Sequence, residues 1–331
     1  MVVECQGNIL FLTIAFFVIY GFNLQHIFAS LGLFRMVIFP DISPEIFTFS
    51  FFGQEFSLRW YALSYILGFI CAILLMKQCV RNLKNWAHVG PPFDAQEVDS
   101  LITYLIFGVI VGGRLGYVFF YNPQYYIDHP LEVIQVWDGG MAFHGGFLGV
   151  VMAAILYCRV NQISIWSAAD LIAFASPPGL MFGRIANFIN AELWGSPTTM
   201  PWGVVFPSAM AKECPGIVGL CARHPSQLYE AALEGLLLFV VLFGLVRLGF
   251  LRMPGFIMGV FICGYGAARF FIEYFRVPDA QFFSFDNPNG YAFIYGNLGF
   301  TMGQVLSIPM VLAGVIFIIL ACLATNGDRV E

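Results

Sequence analysis

The chain of 331 residues is 59% hydrophobic, carries 34 glycines besides, and is only 11% charged. Soluble domains hold roughly 45–50% apolar residues counting glycine, and roughly 25% charged ones. So few charges do not cover a soluble globule; 37 Phe, 14 Tyr and 6 Trp exclude a disordered chain, and 15 Lys and Arg against 20 Asp and Glu, with no basic run, exclude nucleic acid as a partner.

What remains is an all-α polytopic membrane protein. Residues 1–35 form an uncertain hydrophobic N-terminal extension. Asn8 to Phe34 hold no Asp, Glu, Lys or Arg, which leaves two readings open: an extra hydrophobic helix, or an upstream start ahead of Met36. The lack of a basic n-region and of a small-residue cleavage site argues against a signal peptide. A helix crosses the hydrocarbon core in about 20 mostly apolar residues. Seven segments qualify, near 59–76, 99–120, 141–158, 165–189, 226–246, 255–275 and 302–323. Glycine and proline interrupt several of them, at Gly112-Gly113 and Pro177-Pro178-Gly179, which membrane helices tolerate when neighbours satisfy the backbone.

Basic residues orient the spans. Lys77, Arg81, Lys84, Arg159, Arg247, Arg252 and Arg329 fall in short loops and the tail, whereas Arg35, Arg59, Lys212, Arg223 and Arg276 are spread over much longer segments. The dense set is expected to be cytoplasmic, together with the tail 324–331, and the long 190–225 and 276–301 loops outward. Arg114, Arg184 and Arg269 remain inside spans. Cys71, Cys79, Cys158, Cys263 and Cys322 lie in or beside apolar segments, as small hydrophobes. No C-x-x-C pair or zinc spacing is present.

Intramembrane ionisable residues are costly and usually functional, so four motifs stand out. His144 lies between two glycine pairs in Trp137-Asp138-Gly139-Gly140-Met141-Ala142-Phe143-His144-Gly145-Gly146. A histidine there suits proton transfer; a packed histidine bonded to a carbonyl fits equally. In Gly183 to Gly195, Arg184, Asn187 and Asn190 share a helical face, a phosphate receptor by its planar donor fork or else a structural arginine paired with a carboxylate. Tyr265, Arg269 and Glu273 recur every four residues as one polar stripe, with Glu273 either orienting a partly free guanidinium or closing an ion pair that fixes packing. Arg223-His224-Pro225-Ser226-Gln227-Leu228-Tyr229-Glu230 reads mainly as helix-entry structure at the membrane edge. The absence of H-E-x-x-H, G-x-S-x-G, Walker A and D-D-x-x-D patterns disfavours metalloprotease, hydrolase, ATPase and prenyl-transfer chemistry.

Trp137 to Gly146, Gly183 to Gly195, Arg223 to Glu230 and Tyr265 to Asp279, with Arg59-Trp60-Tyr61 and Gly112 to Tyr121, resemble the prolipoprotein diacylglyceryl transferase family in order over residues 36–323. The resemblance implies a seven-span catalytic body in the bacterial inner membrane, a periplasmic head near 190–225, and an active site opening to the periplasmic side. It also implies transfer of the diacylglyceryl group of phosphatidylglycerol to the lipobox cysteine thiol of a preprolipoprotein, in the presence of membrane lipids, with release of glycerol phosphate and no metal or organic cofactor. The matching functional residues are His144 as candidate base and Arg184 and Arg269 on the phosphate. Asn187, Asn190 and Glu192 are expected at the glycerol end, Tyr61 and Tyr265 in the pocket lining, and Glu273 beside Arg269. Two departures are Ala191, where the family carries Gly, and the pair Cys214 and Cys221, for which an outward-facing loop implies a disulfide. A transporter of an anionic or lipid substrate that uses the same arginines, or a membrane scaffold without chemistry, are the competing readings.

Overall fold

The computed structural model describes residues 36–51, 54–86, 90–214, 219–296 and 298–327. The N-terminal extension 1–35 and the basic tail residue Arg329 lie outside them. Seven described helices are long and apolar enough to cross a membrane: α1 Trp60–Arg81, α2 Glu97–Phe120, α3 Phe143–Val160, α4 Ile165–Ile189, α5 Ser226–Arg247, α6 Phe256–Phe275 and α7 Met302–Thr325. All seven coincide with the expected spans to within a few residues. Helix formation satisfies every backbone group within the segment, the condition that lipid imposes.

Short strands supplement the helices. Among the described residues they make three two-stranded pairs: β1 Val37–Ile38 with β4 Val204–Val205 in parallel, and the antiparallel hairpins β2 Glu45–Phe51 with β3 Gln54–Arg59 and β5 Phe293–Tyr295 with β6 Leu298–Phe300.

The chain divides into two compact units. The smaller takes its described residues from 36–41 and from 194–225, and the β1–β4 pair lies within it. Its centre is Arg223, which donates to the carbonyls of Ala211 (2.6 Å), Glu213 (2.8 Å), Gly195 (3.3 Å) and Met210 (3.4 Å) and lies 4.0 Å above the Trp194 ring. A guanidinium spent on carbonyls in this way is a scaffold for the loop. Cys214 and Cys221 are joined by a disulfide with Cα atoms 6.0 Å apart, and burial pushes the His224 imidazole below its ordinary pKa.

The larger unit holds the helices. Small residues set their packing. A side chain at Gly112 or Gly116 of α2 would run into the backbone of Gly145 and Gly149 on α3, and one at Gly259 of α6 into Gly314 and Ile318 of α7. Close backbone approach of this kind substitutes for the hydrophobic drive that lipid removes. Gly145, in the histidine motif, is therefore occupied with helix packing.

Two buried polar groups lock other joints. Asp170 of α4, fully buried, accepts from the amides of Gly255 (2.7 Å) and Met258 (2.8 Å), satisfying orphan donors at the start of α6. Arg114 of α2 donates to the carbonyls of Val133 (2.8 Å), Glu132 (2.6 Å), Gly139 (2.5 Å) and Gly140 (3.3 Å), with the Tyr126 ring 5.1 Å away. It thus pins the loop that leads into α3. The amide of Ala142 donates to Gly113 O at 2.9 Å, which fixes where α3 begins and hence where His144 stands.

Candidate active site

Three helices converge on one ionic cluster. Arg184 comes from α4, Glu230 and Glu234 from α5, and Arg269 and Glu273 from α6, with Arg276 one residue beyond it. The approach of α4 to α5 follows from a glycine, since a side chain at Gly235 would strike the backbone of Met181. Met181 and Arg184 are three apart on α4, so this contact carries the guanidinium onto the α5 carboxylates. Ala231–Leu237 adopts a π-helix, a widened turn frequent at functional sites, and Glu230 and Glu234 flank its first turn.

Glu230 is the centre. Its Oε1 meets Arg269 Nη1 at 2.9 Å and Arg276 Nη1 at 2.5 Å, and its Oε2 meets Arg184 Nη1 at 3.1 Å. Glu273 Oε1 contacts Arg269 Nη2 at 2.5 Å and Arg276 Nε at 3.1 Å, while its Oε2 accepts from the Thr301 hydroxyl at 3.0 Å. Glu234 Oε2 lies 3.6 Å from Arg184 Nη2. Tyr265, one turn before Arg269 on α6, is hydrogen-bonded to Arg184.

Burial is asymmetric. The side chains of Glu230 and Glu234 are 0% exposed and that of Glu273 is 5%, whereas those of Arg184, Arg269 and Arg276 are 20–21% exposed. The carboxylates are sealed off, and the arginine side chains are the partly accessible members of the cluster. Guanidinium groups supply planar donor forks that suit an anion, and in buried surroundings charge contacts are stronger than in water.

A second cluster, centred on Glu192, adjoins it along the chain. Asn187 donates to Glu192 Oε1 at 2.8 Å and to the Tyr61 hydroxyl at 3.2 Å, and Asn190 reaches the same carboxylate at 3.5 Å. Gln227 donates to the Glu192 carbonyl at 2.5 Å and Ser226 to that of Leu193 at 3.1 Å. Ala191 and Leu193 hold positive φ of 53° and 55°, so two strained residues bracket Glu192. The left-handed backbone at 191 is one that glycine adopts at little cost and alanine does not.

The structure thus gathers Arg184, Arg269, Glu273 and Tyr265 in one cluster, and Tyr61, Asn187, Asn190 and Glu192 in the next. The two amides serve Glu192, not the flanks of Arg184. His144 is exposed on the first turn of α3, beside the Phe143 ring; among the described residues no hydrogen bond or ion pair joins it to either cluster. The sequence reading missed Glu230, Glu234 and Arg276. Their signal was charge balance: two intramembrane arginines need carboxylates, and Glu230 and Glu234 lie in the first turns of α5.

Seven apolar helices define a multi-pass membrane protein, and the arginine–glutamate cluster joining three of them is its candidate site. Residues 47–320 match the family model described as prolipoprotein diacylglyceryl transferase. The chain is 56% identical over 284 residues to the phosphatidylglycerol–prolipoprotein diacylglyceryl transferase of Cereibacter sphaeroides, covering 86% of this chain and 97% of that one. It is 56% identical over 284 residues to the Ruegeria pomeroyi protein of the same name (86% and 96%), and 44% identical over 278 residues to that of Rhizobium meliloti (84% and 91%). The chain belongs to the prolipoprotein diacylglyceryl transferase family.

Proposed function

We propose that this protein transfers the diacylglyceryl group of phosphatidylglycerol to the lipobox cysteine of a preprolipoprotein in lipoprotein maturation. The sulfur attacks the glycerol carbon that bears the phosphate ester. A thioether forms, the carbon–oxygen bond breaks, and glycerol phosphate leaves. The observation that carries the reading is the set of three arginine side chains, each about one-fifth exposed and paired with buried carboxylates, in a chain of this family.

Arg184 and Arg269 bind the headgroup phosphate and stabilise the charge that grows on it as the ester bond breaks. Glu192, held by Asn187 and Asn190, offers a carboxylate to the glycerol hydroxyls, with Tyr61 and Tyr265 at the walls. An apolar groove of about 350 Å³ lined by Cys71, Leu75, Pro178, Met181, Gly235 and Phe239 runs from the same α4–α5 contact and suits an acyl chain. Only a thiolate attacks carbon efficiently; His144 is the candidate acceptor of the thiol proton. The distribution of basic residues supports a site that opens to the periplasmic side of the bacterial inner membrane.

The test uses purified protein, phosphatidylglycerol and a lipobox peptide. Release of glycerol phosphate with a matching diacylglyceryl mass gain on the peptide is the expected result. Lipid or anion movement across vesicles without any mass gain would instead support the transporter reading.

A further inference from the structure

The cluster is neutral as built, with three guanidinium groups against three carboxylates, yet the three carboxylates are not equivalent. Glu230 touches all three arginines, and Glu273 touches two and accepts from Thr301. Glu234 is fully buried, meets Arg184 alone at 3.6 Å, and neither of its oxygens accepts a hydrogen bond. The other groups that face it are Glu230 on its own helix, Tyr265 and Arg269 from α6, and Arg276 just beyond α6. A buried carboxylate without donors is expensive, and this one lies against Arg184 on the buried side of the cluster.

We infer that Glu234 is a resident counter-ion of Arg184, a buried negative charge that weakens the hold of Arg184 on the lipid phosphate and, more strongly, on the product. The inference rests on the transferase reading. The substrate phosphodiester carries one negative charge, whereas the phosphomonoester product approaches two at neutral pH. Arginines that bind the first well would bind the second better and be trapped by it. A fixed negative charge next to Arg184 opposes both anions, the dianion more strongly because repulsion scales with charge. Glu234 is thus a positioning residue that sets discrimination between substrate and product.

The experiment is initial-rate kinetics of Glu234→Gln, with glycerol phosphate as added inhibitor. The inhibition constant for glycerol phosphate falls by about tenfold or more, and KM for phosphatidylglycerol falls by less. A purely structural role would weaken both. Glu234→Asp keeps the charge but withdraws it by one methylene, so its inhibition constant falls in the same direction by a smaller factor, which covers failure of the Gln variant to fold. Unchanged or raised inhibition constants in the variants that fold overturn the inference. Calorimetric titration of glycerol phosphate separates the two claims, because it needs no turnover. Wild-type binding without transfer refutes the transferase reading alone, and tighter binding by Glu234→Gln then still supports the counter-ion. No binding to wild type overturns the counter-ion.

Discussion

Glu230 on α5 and Arg269 on α6 are joined at 2.9 Å, and the same carboxylate holds Arg184 of α4 at 3.1 Å. One buried acid therefore sets the separation of two cations from different membrane helices. A carboxylate with several cationic partners recovers its desolvation cost better than a single pair does, and its removal would leave like charges facing one another.

Glu230→Gln is expected to lower transfer activity by about 100-fold or more, on the scale of losing an oriented charge contact in a preorganised site. Breaking a buried ion pair also costs about 3–5 kcal/mol of stability, so a lowered melting temperature in detergent should accompany the loss. Activity near wild type would separate Glu230 from the site.

Arg184→Ala and Arg269→Ala should each abolish glycerol phosphate release while the protein still elutes as a folded species. Arg→Lys at either position should recover little, because an ammonium lacks the planar fork. A wild-type rate in either alanine variant refutes the phosphate assignment.

His144→Ala distinguishes a base from a spacer. If His144 accepts the thiol proton, the variant is slow at neutral pH and gains on wild type as pH rises and the substrate thiol ionises unaided. A rate deficit that is constant across pH assigns the residue to positioning, in keeping with its place on the turn pinned by the Ala142–Gly113 hydrogen bond.

Ala191→Gly should stabilise the protein. Ala191 holds φ at 53°, a conformation that costs an L-residue about 1–2 kcal/mol and glycine little. A rise in thermal midpoint with activity retained is the expected outcome; a fall would show that the methyl group makes a packing contact worth more than the strain.

Much of the architecture was legible in the residues. Spans followed from runs of apolar residues, and Arg184 and Arg269 were conspicuous as charges where charge is expensive. Glu230 was not, because Pro225 and Ser226 beside it have an ordinary explanation as helix-entry residues. Arg276 fell on the loop side of the α6 boundary and was read with the outer loop. The π-helix at Ala231–Leu237 has no local sequence mark, since its widened turn answers to the neighbouring helix. The neighbour that Gly145 admits is the backbone of α2, which no pattern local to its own motif names.

Composition by itself determined the solvent, and the solvent determined the rest of the class. A chain this apolar must span lipid, and lipid forces each span to satisfy its own backbone as a helix. The sequence also determined which charges are exceptional. Which acid meets which arginine was decided only by tertiary structure, because an ion pair depends on distances between helices. Those distances are set by small residues such as Gly235 against Met181, far outside the local window in which a carboxylate or a guanidinium can be read.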